Sequence, residues 1–372
     1  MPHARTIYLD WNSTTPVAED VLAAMVAAQS DAWGNPASVH VLGRRARAIV
    51  ESCREAVAST LGVSPRDVYL TSGGTEANNL ALWSSSALVT SRLEHPSVTG
   101  VAEMLEQRGV PVGWLQRLST GAVDPEEVDT LLAGMPSGGT LAVAAVNHET
   151  GVIQPIRALL DIAQRHGARL HVDAVQALGK QPHCEFEQAH SVAGSAHKLR
   201  GPKGIGFLAW RGAPPAPVLR GGAQERGVRP GTQDAVLAAG FRAALDRLPA
   251  ASRRLSALQG LRDALESSLA GRVTVNGGAS SRVAHVSNVA FDGWRGDELV
   301  AALDLEGICV SSGSACSVGS SSPSAVVSAM HDPSRARQSV RFSLGETTSR
   351  ADVDRAIERV LTCLGRPAPH FK

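Results

Sequence analysis

The chain has 372 residues, 43% of them hydrophobic, with a formal net charge of +1. This length allows two domains with their own cores, and the balanced charge argues against a nucleic-acid-binding surface or a polybasic membrane anchor. The N-terminus lacks the apolar core of a signal peptide, and no apolar run approaches the roughly 20 residues of a membrane-spanning helix.

The N-terminal part is predicted to alternate between short strands and helices. An extended piece at residues 7–10 leads into a helix that begins near Pro16, and a second helix covers residues 43–61. Residues 68–71 then form a strand, which a Ser-Gly-Gly-Thr turn converts into a helix. The first amides of such a helix suit a phosphate group, although strand–glycine–helix turns are mostly structural.

The alternation continues through the middle of the chain. Strands at 88–90, 141–146 and 170–173 are separated by helices at 96–107 and 156–164. Strands that are apolar throughout predict a parallel sheet covered on both faces, and functional residues in such sheets lie beyond the carboxyl ends of the strands. Five candidates each follow a strand-like run: Thr75, His95, His148, Asp173 and Lys198.

The stretch SVAGSAHKLRGPKGIG, residues 191–206, places Lys198 at the end of a strand. A desolvated lysine amine is partly deprotonated and can react with a carbonyl group. Ser195 and His197 beside it could bind an anion. A single lysine in a turn is usually an ordinary surface residue, so this interpretation depends on the other motifs.

The second half of the chain predicts a smaller domain. A loop at 211–232 and a long helical region at 235–269 precede strands at 273–275 and 286–289. We place the boundary near Pro249, so that residues 15–249 form a large domain and residues 1–14 and 250–372 a small one. A serine-rich stretch at 310–325 surrounds Cys316 and is typical of a mobile loop.

The five cysteines are scattered, and none forms a C-x-x-C pair. They predict neither a disulfide scaffold nor a zinc site, and they favour a reducing cytoplasm. Cys53, Cys309 and Cys363 are predicted core residues, whereas no role is assigned to Cys184.

Nine sequence blocks together carry a family resemblance. They are LDWNSTTP, GNPASVH, TSGGTEANN, LEHPSV, HVDAVQ, SAHKLRGPKGIG, RGGAQERGVRPGT, VSSGSAC and VRFSLGETT. Their order resembles that of the cysteine desulfurases, which are pyridoxal 5'-phosphate enzymes of aminotransferase class V. The resemblance implies an α/β chain of fold type I, with a mostly parallel seven-stranded sheet in the large domain and a smaller α+β C-terminal domain. The SSGSAC block is similar to that of the nitrogen-fixation and iron–sulfur-cluster assembly desulfurases.

The resemblance also implies how the chain would hold the cofactor ring. Lys198 matches the lysine that binds the cofactor covalently, and Asp173 matches the carboxylate that faces the pyridine nitrogen. Gln176 matches the side chain at the phenolic oxygen. His95 matches a histidine that stacks on the ring and takes part in proton transfer.

The resemblance further implies residues for the phosphate and for the substrate. Thr232 matches a threonine that reaches the phosphate from the neighbouring subunit, which implies a homodimer with shared sites. Arg341 matches the arginine that binds the substrate carboxylate, and Asn35 is expected to assist it. The phosphate residues implied within the same chain are Gly74, Thr75, Ser195 and His197.

Cys316 matches the catalytic nucleophile of the family. The implied reaction has Lys198 or His95 accept the Cα proton of L-cysteine, after which the Cys316 thiolate attacks the substrate sulfur. Alanine and a persulfide on Cys316 result, and the sulfur passes to an acceptor protein. The sequence leaves open whether that acceptor serves iron–sulfur clusters, tRNA thiolation or another pathway.

One departure from the family pattern affects the site. The family has Asn-Asn-Glu after the central strand, whereas this chain has Asn147-His148-Glu149. An imidazole can donate the same kind of hydrogen bond to the phenolic oxygen, but it is bulkier and titrates near neutral pH. Two other functions stay open: a selenocysteine or carbon–sulfur lyase, and a non-catalytic sulfur-relay scaffold.

Overall fold

The computed structural model describes residues 6–181, 186–313 and 323–365, so Cys184 and Cys316 lie outside the described residues. Twelve strands are present in these ranges. They are β1 (Ile7–Tyr8), β2 (Val68–Thr71), β3 (Leu88–Ser91), β4 (Val112–Leu115), β5 (Thr140–Ala144), β6 (Arg169–Asp173), β7 (Ser191–Ser195), β8 (Gly206–Trp210), β9 (Val273–Val275), β10 (Val286–Phe291), β11 (Ile308–Cys309) and β12 (Ser339–Ser343).

Helices connect most of these strands. They are α1 (Glu19–Asp31), α2 (Val41–Leu61), α3 (Gly74–Leu82), α4 (Pro96–Gln107), α5 (Pro125–Ala133), α6 (Ile156–Arg165), α7 (Ala235–Asp246), α8 (Leu248–Ser256), α9 (Gln259–Ser268), α10 (Gly296–Leu305), α11 (Ala325–Met330), α12 (Pro333–Arg337) and α13 (Arg350–Leu364). No helix in the described ranges is long and apolar enough to cross a membrane.

Seven strands form the main sheet, in the order β2-β8-β7-β6-β5-β3-β4. Only β8 runs antiparallel to its neighbours; the other strand pairs are parallel. Every residue of β2, β3, β5, β7 and β8 is buried, because helices cover both faces as a parallel sheet requires. The predicted α/β architecture with a mostly parallel seven-stranded sheet is therefore confirmed.

A second, smaller core lies around the three-stranded antiparallel sheet β12-β10-β9. Phe291, Leu299 and Phe342 are fully buried there, and β1 joins this part of the chain by pairing in parallel with β11. Cys363 and Cys53 are buried in the small and the main core respectively, as predicted, whereas Cys309 is only half-buried. We propose that the small core is the second domain.

The predicted helical region 235–269 is not continuous. It consists of α7, α8 and α9, with α8 beginning at Leu248 and Pro249. Proline is tolerated in the first turn of a helix, so this break follows from the local sequence. The break between α8 and α9, at residues 257–258, contains neither glycine nor proline. Leu258 is buried in the small core, which indicates that tertiary packing determines where α8 ends.

A buried ion pair anchors the loop that contains Thr232. Glu225 has a left-handed backbone conformation with φ of 47°, and its buried carboxylate accepts hydrogen bonds from Arg54 at 2.6 and 2.8 Å. The Leu70 amide and the Gln233 side chain also donate to it. Burial alone would raise the pKa of the Glu225 carboxyl group. The hydrogen-bond donors and the Arg54 charge have the larger effect, and the net pKa is lowered. The loop is thereby tied to α2 and β2.

Candidate active site

The strand-end residues converge on one cavity of about 180 Å³ at the carboxyl edge of the main sheet. This convergence is what a parallel α/β sheet predicts. Ten of the thirteen sequence-predicted residues line the cavity: Gly74, Thr75, His95, His148, Asp173, Gln176, Ser195, His197, Lys198 and Arg341.

Three predicted residues do not line this cavity. Cys316 lies outside the described residues. Asn35 is exposed, and its Oδ1 accepts the Ala37 amide at 2.9 Å in a local turn. Thr232 is also exposed, in the loop anchored by Glu225. Within a single chain, therefore, neither Asn35 nor Thr232 reaches the positions that the family resemblance gives them.

Lys198 ends a short turn that directly follows β7. Its Nζ donates hydrogen bonds to the carbonyl oxygens of Asn12 at 2.5 Å and Ser13 at 2.7 Å. Asn12 and Ser13 also line the cavity. The sequence prediction assigned neither of them a role, although both belong to the LDWNSTTP block.

The N-terminus of α3 lies at the cavity, with Gly74 and Thr75 lining it. The first amides of a helix have no intrahelical partners, and Ser195 and His197 line the same cavity. A Cβ at Gly74 would lie 2.6 Å from Val175 Cγ2, so a larger residue there would displace the Val175 side chain. Burial, together with nearby lysine charges, lowers the pKa of His197 to about 3 and keeps its ring neutral.

Asp173, the last residue of β6, is held by two donors. Its Oδ1 accepts the Val175 amide at 2.9 Å, and its Oδ2 accepts the side-chain amide of Asn78 at 2.7 Å. Asn78 lies on α3 and lines the same cavity. The two hydrogen bonds fix the direction in which the buried carboxylate points.

Gln176 is oriented by a buried lysine that the sequence analysis did not single out. Lys180 Nζ donates to Gln176 Oε1 at 2.5 Å, and Gln176 Nε2 donates to the Asn12 carbonyl at 2.9 Å. Burial and the charges of Lys198 and Arg341 lower the pKa of Lys180. With its oxygen bonded to Lys180, the Gln176 amide has one defined orientation.

Two histidine rings meet in the cavity. The centroids of His95 and His148 are 5.4 Å apart, with the ring planes at 72°. Burial lowers the pKa of both; Lys198 lowers the pKa of His95 further, against an opposing effect of Asp173. Both imidazoles are therefore neutral near pH 7.

Replacing His148 with asparagine should reduce the acid sensitivity of the fold. Burial holds the folded-state pKa of His148 well below 6.5. Below pH 6.5 the unfolded chain therefore binds a proton that the folded chain does not, and the stability of the fold decreases as the pH is lowered. Protonation of this one group in the unfolded chain can lower stability by at most about 2 kcal/mol between pH 7 and pH 5. Urea unfolding at both pH values, without added cofactor, should show a smaller loss in His148→Asn than in wild type; equal losses would contradict the assignment.

Arg341 lies in the middle of β12 and is almost fully buried. One terminal nitrogen, Nη2, donates to Asp10 Oδ1 and to Ser13 Oγ, both at 2.7 Å. The other, Nη1, donates to the His148 carbonyl at 3.0 Å. Asp10 thus neutralises the arginine charge at the cavity, a contact that the sequence prediction did not include.

Comparison with known proteins identifies the family of this chain and several of its relatives. A family model described as aminotransferase class-V matches residues 7–356. A cysteine desulfurase of Nostoc sp. is 37% identical over 366 residues, which cover 95% of this chain and 91% of that protein. A cysteine desulfurase of Cereibacter sphaeroides is 38% identical over 368 residues, covering 95% and 94%.

Solved structures of similar proteins share the fold of this chain. A NifS-like protein superposes with a TM-score of 0.86 at 30% identity, over 97% of this chain and 99% of its own. A structure described as SspA in complex with cysteine has a TM-score of 0.79 at 29% identity, over 92% and 100%.

Proposed function

Because the chain belongs to the cysteine desulfurases of the class-V aminotransferases, we propose that it uses pyridoxal 5'-phosphate to remove sulfur from L-cysteine. The products are L-alanine and a persulfide on Cys316. The observation that carries this proposal is the meeting of Lys198, Asp173 and Arg341 in one cavity.

The residues present fit the cofactor. The α3 N-terminus with Thr75, Ser195 and His197 would hold its phosphate, His95 would stack on its ring, and Asp173 would face its ring nitrogen. Asn12 and Arg341 line the cavity, and Asn12 Oδ1 and Arg341 Nε are buried polar atoms without a hydrogen-bond partner among the described residues. Such atoms are costly unless a polar ligand pairs with them.

When bound, the cofactor supplies an aldehyde carbon for the substrate amine and a ring that takes up electrons from the substrate Cα. Lys198 would hold the cofactor, and Lys198 or His95 would accept the Cα proton. Arg341 orients the substrate through its carboxylate. His148, which lines the same cavity as Gln176, would donate a hydrogen bond to the phenolic oxygen.

Cys316 completes the reaction by attacking the substrate sulfur as a thiolate. The new S–S bond forms as the substrate C–S bond breaks, and the electron pair of that C–S bond stays with the carbon fragment. Proton uptake then gives alanine, while the sulfur stays on Cys316 as a persulfide. We propose that a separate acceptor protein of an iron–sulfur-cluster or thiolation pathway takes this sulfur in a reducing cytoplasm.

The test is product identity from L-cysteine in the presence of a thiol reductant. Wild type should form alanine and sulfide in equal amounts, and Cys316→Ser should lose alanine formation by about 10³-fold or more. Cys309→Ser is the matched control and should keep wild-type rates, since Cys309 lies in β11 away from the cavity. Pyruvate from wild type, with Cys316→Ser still active, would indicate a carbon–sulfur lyase and contradict the proposal.

We propose a homodimer in which the surface containing Asn35 faces a second copy of the chain. Trp33 and Val39 flank Asn35 and are 66% and 82% exposed, and Leu22 and Val26 present an apolar face on neighbouring α1. Exposed apolar groups in one region are typical of an interaction surface. The exposed position of Thr232 agrees with a site completed by the partner.

Trp33→Glu should therefore shift the protein from dimer to monomer, because a charge would be buried in an apolar interface. Sedimentation velocity measures this directly, and the affinity for pyridoxal 5'-phosphate should fall in parallel. Leu305→Glu is the control: Leu305 is 90% exposed on α10, and its replacement should leave the dimer intact. A wild-type monomer, or a Trp33→Glu dimer, would contradict the proposed surface.

A further inference from the structure

A chain of buried side-chain hydrogen bonds runs behind the cavity. Ser191 Oγ lies 2.8 Å from His171 Nδ1, and His171 Nε2 lies 3.0 Å from Asn78 Oδ1. Asn78 Nδ2 in turn donates to Asp173 Oδ2 at 2.7 Å and to Ser97 Oγ at 2.9 Å. All five side chains are buried. His171 and Ser191 do not line the cavity, so they act on it only through other residues.

In this hydrogen-bond chain, the donor and the acceptor of each bond follow from the chemistry of the side chains. The Asp173 carboxylate only accepts, so Asn78 must turn its NH₂ group towards Asp173. Asn78 Oδ1 then faces His171, whose Nε2 must carry the hydrogen. His171 Nδ1 consequently accepts from the Ser191 hydroxyl, and a neutral imidazole has this single arrangement available.

Ser97, at one end of this hydrogen-bond chain, fixes the proton position in His95. The Ser97 backbone amide donates to His95 Nδ1 at 3.1 Å, so this nitrogen carries no hydrogen. Ser97 Oγ lies 2.8 Å from the same nitrogen. Since the Ser97 hydroxyl oxygen accepts from Asn78, its own hydrogen is directed to His95 Nδ1. The neutral His95 ring therefore carries its hydrogen on Nε2.

We propose that His171 is a positioning residue: through Asn78 it orients Asp173, and through Asn78 and Ser97 it supports the Nε2–H form of His95. A neutral His95 in this form has no lone pair on Nε2 with which to accept a proton. Lys198 is then the group that accepts the substrate Cα proton, a step that rests on the proposed function. Burial lowers the pKa of His171 to about 3, so the ring stays neutral at working pH.

The first test measures proton positions directly. Nitrogen NMR of the full-length protein with ¹⁵N-labelled histidine, recorded with and without pyridoxal 5'-phosphate, distinguishes the two tautomers of each ring. His171 and His95, assigned by His171→Phe and His95→Gln, should both show a protonated Nε2 and an unprotonated Nδ1 at pH 7. A proton on Nδ1 of His171, or a cationic His171, would overturn the proposal.

The second test follows the effect on Asp173. In His171→Phe the Oδ1 of Asn78 loses its donor, which leaves the Asn78 amide less firmly held, so the ¹⁵N resonance of labelled cofactor ring nitrogen should shift and cofactor affinity should fall about tenfold. His171→Gln keeps an N–H donor and should recover part of both. Asn79→Ala is the control at the next position of α3: among the residues that the structure describes, the Asn79 amide group donates only to backbone carbonyls, and its removal should change neither.

An unchanged ring-nitrogen resonance in His171→Phe would overturn the positioning role. If the protein binds no pyridoxal 5'-phosphate at all, the proposed function fails, and the histidine tautomers still decide whether the hydrogen-bond chain is correct. If His171→Phe does not fold, His171→Gln and the wild-type tautomers decide the question.

Discussion

Lys198→Ala should lower the rate of alanine formation from L-cysteine by about 10³-fold or more, because it would remove both the proposed covalent link to the cofactor and the proposed proton acceptor. Lys198 Nζ lies in the cavity between the Asn12 and Ser13 carbonyls, and no other lysine of the described residues lines that cavity. The measurement is the steady-state rate, together with cofactor retention after gel filtration.

Two other lysines separate this role from general charge effects. Lys203 is exposed in the glycine-rich loop five residues later, and Lys203→Ala should keep the wild-type rate. Lys180 is buried behind Gln176. After borohydride reduction and digestion, the cofactor mass should appear on the peptide with Lys198 alone; labelling of Lys180, or an active Lys198→Ala, would contradict the assignment.

The candidate site was predictable where its residues follow strands. Asp173 ends β6 and Lys198 follows β7, and in a parallel sheet the carboxyl ends of all strands meet at one edge. A local pattern, an apolar strand followed by a polar residue, was therefore enough to predict that residues far apart in sequence lie in one cavity. The family resemblance added their roles.

The buried polar side chains that hydrogen-bond to the site residues were not predictable in this way. His171 reads as an ordinary residue inside an apolar strand, and its contact with Asn78 spans 93 positions. Asp10 meets Arg341 across 331 positions. Such pairs are set by how helices and strands pack, because no local periodicity or turn signal specifies the partner of a buried polar group.

Asn35 and Thr232 show a different limit. Their motifs match the family, yet neither residue lines the cavity of its own chain. If the site is shared between two copies, its composition depends on an interface, and a single chain contains only part of that information.

Arg341→Leu should raise the KM for L-cysteine by about 10²-fold, with a smaller change in kcat. A charge-assisted bidentate contact with a carboxylate contributes about 3 kcal/mol to binding, and loss of a contact made equally in ground and transition states appears in KM. Arg341→Lys keeps the charge without the planar fork and should show an intermediate KM.

Asp10, which pairs with Arg341, provides a second test of the same contact. Its carboxylate lies 2.7 Å from Arg341 Nη2, so Arg341→Leu leaves an unpaired negative charge close to where the substrate carboxylate would bind. Replacing Asp10 with asparagine in the Arg341→Leu background removes that repulsion and should recover about tenfold in KM. If Asp10→Asn recovers nothing and Arg341→Leu leaves KM unchanged, the pair is structural and the substrate carboxylate binds elsewhere.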